Sequence, residues 1–215
     1  MFNKIAVICI FLPFIWGCAA EEAQPEIVYD YAIGGTPPAA PSVPSRTLPK
    51  LNTTSMPNSW VPPAWAEIGW TAIVIHHSAT RNGNAAIFDN WHREGRQWDG
   101  VGYDFVIGNG TDSGDGQVEV THRWRYQKVG AHCGGTPGNW ANKDGIGICL
   151  VGDFNKTSLT SAQMQALAKL ICFLQNRYSI PRSRIYGHNS TPGGRSTDCP
   201  GRKFSLSELK SKVEY

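Results

Sequence analysis

"IVIHHSAT", residues 73–80, is the stretch on which the fold turns. With Thr71 and Ala72 before it, the run is apolar and β-branched, which predicts a buried strand. It ends on two adjacent histidines, His76 and His77, followed by small polar residues. Side chains alternate faces along a strand, so the two imidazoles point to opposite sides and only one can face a given site. A single histidine at a strand end is ordinarily a satisfied polar residue. A functional role needs partners from elsewhere in the chain.

Downstream, the pattern alternates between strand and helix. The spacing of Ile87, Phe88 and Trp91 predicts a helix over 85–97 with one apolar face. "GYDFVIGNGT" (102–111) alternates apolar and polar residues and ends at a Gly-Asn-Gly turn, which predicts a strand and hairpin with "QVEVTHRW" (117–124) as the partner strand. "GIGICLVGD" (145–153) is a near-continuous apolar run between glycines, as a central strand buried on both faces requires. A helix from Leu159 or Thr160 to about Tyr178 opens with a Thr160–Gln163 capping box. It carries a core stripe of Met164, Leu167, Ile171, Leu174 and Tyr178. "RIYGH" (184–188) predicts a short strand with His188 at its tip, and "SLSELKSKV" (205–213) a final amphipathic helix. The class is α/β, a mixed central β-sheet flanked by helices.

Upstream, the chain changes character. "MFNKIAVICIFLPFIWGC" (1–18) has Lys4, an apolar core too short to span a bilayer, and a small residue before Cys18. Residues 1–17 are expected to be a signal peptide. "IWGC" resembles a bacterial lipobox, which makes Cys18 the expected site of lipidation; no aspartate follows it, which by resemblance to Gram-negative lipoproteins implies the periplasmic face of the outer membrane, with a periplasmic or secreted protein as the alternative. Trp16 departs from the small residue usual at that place, and an ordinary cleaved signal with an incidental cysteine is the alternative. Residues 18–58, including "GGTPPAAPSVPSRTLPK" (34–50), are rich in Pro, Ala, Ser and Thr and read as a tether. Residues 59–215 form the folded domain.

The whole chain has 215 residues and a formal charge of +3, too weak to argue for a nucleic-acid partner. No second apolar segment reaches spanning length, so contact with a membrane is expected only through the N-terminal anchor, and a monomer is expected. The domain carries 17 basic and 13 acidic residues, a mild excess that suits a polyanionic wall polymer.

The partners of the histidine lie in "YGHNSTPGGRSTDCPG" (186–201), which holds His188 and, eleven residues later, Cys199. His76, His188 and Cys199 make a two-histidine, one-thiolate set. Three protein ligands leave a fourth tetrahedral position for water, the mark of a catalytic zinc site. The spacing itself is a weak signal, since no compact C-x-x-C or H-x-x-x-H signature is present.

Six collinear motifs, "IVIHHSAT", "VGYDFVI", "VGAHCGG", "GIGICLVGDF", "YGH" and "DCPG", span roughly residues 70–210. Their order resembles that of the type 2 zinc N-acetylmuramoyl-L-alanine amidases, a family that includes peptidoglycan recognition proteins and the lysozyme-like amidases of phages. The resemblance implies one zinc ion held by His76, His188 and Cys199, with Tyr103 as the active-site tyrosine. Thr197 falls where phage-type members have a lysine, so a hydroxyl without charge replaces a cation there. His132 falls beside the cleft, implying a substrate contact or support for a ligand, with a structural role equally open. His77 is expected to face away from the metal, and His92 and His122 to be surface residues. The implied reaction is hydrolysis of the amide between N-acetylmuramic acid and L-alanine in peptidoglycan, serving wall remodelling, recycling or lysis. Members of the family without the cysteine bind peptidoglycan without cutting it, and a non-catalytic receptor of the same fold is the alternative. Cys133, Cys149 and Cys172 complete the cysteines of the domain, with Cys149 and Cys172 as possible buried neighbours.

Overall fold

The computed structural model describes residues 56–213. The signal peptide, Cys18 and nearly all of the tether lie outside the described residues.

Strand β1 (Ala72–His77) is buried along its whole length. It pairs in parallel with β4 (Gly145–Leu150) on one side and with β5 (Ile185–Gly187) on the other. Beyond β4 lies β2 (Phe105–Ile107), also parallel, and antiparallel β3 (Val118–Val120) closes the edge, giving the order β3-β2-β4-β1-β5. This is the mixed sheet expected from the sequence, with "GIGICL" at its centre and all six residues buried.

Alternation along the strands divides the sheet into two unlike faces. One presents Ile73, Ile75, Phe105, Ile107, Ile146, Ile148 and Leu150 to Leu167, Ile171 and Leu174 of α4 (Ser161–Tyr178), forming the main core. The other is thinner. It packs Val106, Cys149 and Val151 against Phe88 of α1 (Ala85–Arg96), and Val74 against Cys133 and Ala141. His76 belongs to the thinner face with Val74, and His77 to the core face with Ile73 and Ile75. Cys149 and Cys172 sit on opposite sides of the sheet, Cys172 packing against the α4 core, so they are not neighbours.

Local signals explain the element ends. Asn84 caps α1 by accepting the Ile87 N–H, and Gln97 closes it in a left-handed conformation. The Thr160–Gln163 capping box of α4 forms with both of its hydrogen bonds. Two expectations are corrected. The hairpin's second strand stops at Val120, because Thr121 accepts the Arg123 N–H and starts the short helix α2 (His122–Arg125). Trp91 does not join Phe88 in the interior but is 50% exposed. Helix α3 (Trp140–Lys143) precedes β4, and α5 (Leu206–Lys212) ends the described chain under a Ser205 cap.

Candidate metal centre and active site

The carboxyl ends of parallel strands are where α/β sheets gather ligands, because each strand there releases its chain into a loop. β1 delivers His76 at that end, and β5 delivers His188 as the first residue of a single 3-10 turn. The loop after that turn returns Cys199. Its position is fixed twice: the Asn189 N–H donates to the Cys199 carbonyl at 2.7 Å, and the His77 N–H points at the Cys199 sulfur at 3.3 Å. The ligand-capable atoms of His76, His188 and Cys199 all lie within 4.8 Å of one another, the only such group of three among the described residues. His76 Nδ1 stands 3.6 Å from Cys199 Sγ, and the two imidazole centroids are 4.6 Å apart.

The chemistry of these groups fits a metal cation. Burial holds His76 well below the ordinary histidine range, with the neighbouring imidazoles adding to the effect, so its ring is neutral with a lone pair to give. His188 is also lowered, chiefly by burial, and its Nε2 is buried without a hydrogen-bond partner. Burial pushes the Cys199 thiol up to about 12, against the help of the His77 N–H. At neutral pH that sulfur keeps its proton unless a cation sits against it. A bare nitrogen, an unsatisfied nitrogen and a thiol needing charge compensation are what a soft divalent ion satisfies together.

The remaining candidate residues fall around this group. Tyr103, partly exposed, places its ring 5.2 Å from that of His76, and its hydroxyl meets the Cys149 thiol. Burial first, and then the sulfurs of Cys149 and Cys199, push the phenol well above its usual value. The protonated phenol can donate a hydrogen bond. The Thr197 hydroxyl accepts the Cys199 N–H at 3.1 Å, a local turn that shapes the ligand loop while leaving its own proton to donate. His132 is buried behind His76, with His76 Nε2 3.1 Å from His132 Nδ1. His77 lies on the other face, where its Nδ1 accepts the Phe154 N–H.

Sequence reasoning missed several groups near the site. His92 is not a free surface residue: its Nδ1 accepts the Gly102 N–H at 3.0 Å, and its ring lies between Trp98 and Tyr103, bracing the segment that carries Tyr103. His122 too is only partly exposed, near Asp89. Asp104 is fully buried: Oδ2 accepts the Gly147 N–H at 2.8 Å and Oδ1 has no hydrogen-bond partner among the described residues. Burial lifts its carboxyl to about 7, despite the Gly147 N–H and the Arg123 guanidinium. A cavity of about 670 Å³ opens beyond β1, β2 and β4, with Arg81, Asn109, Gly152, Phe154, Lys156 and Thr157 in its wall.

Two imidazoles and a thiol at the carboxyl end of a mixed sheet, with a tyrosine beside them, define an α/β protein carrying a group that could hold a metal ion. Comparison with known proteins narrows the class. Residues 67–202 match the family model described as N-acetylmuramoyl-L-alanine amidase (Amidase_2), and the chain belongs to that family. Peptidoglycan-recognition protein SC2 of Drosophila melanogaster is 35% identical over 137 residues, covering 60% of this chain and 66% of that protein. The solved N-acetylmuramoyl-L-alanine amidase LysC from Clostridium intestinale URNW superposes with a TM-score of 0.56 at 32% identity, covering 68% of this chain and 87% of LysC. Peptidoglycan recognition protein-LE, solved in complex with tracheal cytotoxin, a monomeric diaminopimelic acid-type peptidoglycan, gives 0.52 at 25% identity, covering 67% of this chain and 81% of that one.

Proposed function

We propose that the protein is a zinc-dependent N-acetylmuramoyl-L-alanine amidase acting on peptidoglycan. The observation that carries this reading is the convergence of His76, His188 and Cys199 within 4.8 Å, with the Tyr103 ring 5.2 Å from His76. His76 and His188 would give zinc their neutral nitrogens and Cys199 its thiolate, releasing the thiol proton as the ion enters. When bound, zinc supplies Lewis acidity toward the scissile carbonyl and acidifies water to near neutrality. Tyr103 offers a neutral O–H to the negative charge that grows on the carbonyl oxygen, and Thr197 a second hydroxyl from the ligand loop. A hydrogen bond that strengthens as that charge develops lowers the barrier.

The test is release of free stem peptides beginning with L-alanine from purified sacculi, read by mass. Tyr103→Phe deletes one hydroxyl and keeps the ring. It should leave zinc content unchanged and lower kcat by about 10²–10³-fold, the usual cost of one such donor. A receptor reading is favoured by the likeness to recognition protein-LE, which was solved with a bound peptidoglycan fragment. Wild-type protein that holds zinc and binds sacculi yet releases no such peptide would decide for it.

The sequence of residues 1–18 supports an exported protein, lipidated at Cys18 and carried on a tether at the periplasmic face of the outer membrane. Palmitate incorporation that persists in Cys18→Ala would remove that part of the reading.

A further inference from the structure

We infer that His132 is a positioning residue which acts through His76: it fixes the tautomer of that imidazole and so selects the nitrogen offered to the metal. The inference rests on the zinc reading above for its purpose, but its geometry stands independently.

Both ring nitrogens of His132 are engaged inside the protein. Nε2 lies 3.2 Å from the Gly145 carbonyl, and Nδ1 lies 3.1 Å from His76 Nε2. A carbonyl oxygen only accepts, so the proton of a neutral His132 must sit on Nε2, which leaves Nδ1 bare. The hydrogen between the two rings then belongs to His76 Nε2. A neutral His76 so protonated has its lone pair on Nδ1, the atom that faces Cys199 Sγ at 3.6 Å. One backbone carbonyl thereby sets two imidazoles in sequence. Both rings are buried, at 7% and 1% exposure, away from the water that a second proton on either would need.

The surrounding chain is built to hold this ring. Asn142 Oδ1 accepts the N–H groups of both His132 and Cys133, at 2.8 and 2.9 Å, fixing the backbone on either side of the side chain's origin. The ring packs against β4 at Gly147, where any Cβ would overlap its Cδ2. A glycine in the middle of a central strand weakens that strand, and close approach of another group is the usual reason for one. With both nitrogens occupied and only 7% of the residue exposed, His132 has no free polar atom for a substrate.

Three variants of the full chain separate this role from packing and from substrate contact. His132→Asn keeps an acceptor where Nδ1 stands; His132→Phe keeps the ring and removes the acceptor; Gly147→Ala displaces the ring. Loss of a hydrogen bond to a metal-binding histidine typically costs about 10–100-fold in metal affinity. His132→Phe and Gly147→Ala should therefore bind zinc that much more weakly, while His132→Asn stays closer to wild type, measured by competition with a chromogenic chelator. A packing role gives the opposite order, with Phe better than Asn, and overturns the inference. A substrate-contact role leaves zinc affinity equal in all three and raises only KM, which also overturns it. Should the variants fail to fold, ring ¹⁵N shifts of the wild-type protein without metal decide directly. Both His76 and His132 should be the Nε2–H tautomer, and an Nδ1–H tautomer at either ring ends the proposal. That spectrum requires no hydrolysis, so it can succeed even if the protein proves to be a receptor.

Discussion

The two faces of β1 carry adjacent histidines to opposite fates. On the core face, His77 accepts the Phe154 N–H, while its own backbone N–H is spent on Cys199, and isoleucines precede it down to α4. On the thinner face, His76 keeps one nitrogen for His132 and turns the other toward Cys199 and His188. Both residues are buried, at 8% and 1% exposure. Burial therefore does not distinguish a ligand from a structural histidine. The difference lies in which nitrogen is left without a protein partner, and in what else converges there. The thinner face also sets a phenol against a thiol, at Tyr103 and Cys149, and the neighbouring Asp104 carboxyl is buried on the Gly147 N–H.

The contrast between the two histidines can be broken most sharply by removing each. His76→Ala should abolish zinc binding and cleavage together, because two protein ligands do not close a tetrahedral site. His77→Ala, the smallest effect expected, should keep zinc and cost about 1–3 kcal/mol of stability by leaving the Phe154 N–H unsatisfied. Zinc content and denaturant titration on both variants check this. Metal loss in His77→Ala with retention in His76→Ala would reverse the assignment of the faces.

Between these extremes stands the buried carboxyl. The folded-state value for Asp104 is about 7, above the 3.8 of an unfolded chain. The native state therefore holds a proton that the unfolded state has lost between those values. The associated stability is complete below about pH 4 and lost as pH rises through 7. Asp104→Asn should remove that dependence, which amounts to a fall in stability of up to a few kcal/mol between pH 4 and 7. Arg123 is the charged group acting on it, so Asp104→Asn is best paired with measurements at two salt concentrations. Equal pH dependence in both proteins would show that burial does not strain this carboxyl.

Much of this contrast was legible in the chain. Period-two alternation through "TAIVIHH" put the histidines on opposite faces, and the glycine-bounded run at 145–153 announced the central strand. The Thr160–Gln163 pair marked the cap of α4, whose first helical residue, Ser161, lies one or two places beyond the expected start. Local chemistry writes such signals into neighbouring positions. What was not legible depends on residues far apart in sequence. The contact of His132 with His76 requires a loop to fold back over Gly147; the family resemblance placed His132 beside the cleft but left substrate contact, ligand support and a structural role open. The separation of Cys149 from Cys172 follows from which face of β4 and which side of α4 each occupies, which spacing does not tell. His92 looked like a polar residue on an amphipathic helix; the Gly102 N–H that it accepts comes from a segment folded back onto α1.

The place of β1 in the sheet has a consequence for how the chain comes to be folded. Ile73 is paired on one side with Ile146 and on the other with Ile185, so β1 cannot complete either ladder until most of the domain has been made. Parallel pairings of this reach fold slowly, because the loop entropy is lost before the contacts repay it. Throughout that wait "TAIVI" is an unpaired apolar strand at the front of the nascent domain, the kind of segment that recruits chaperones or aggregates when synthesis outruns folding. The strand that organises the finished site is thus also the chain's point of greatest exposure before the site exists.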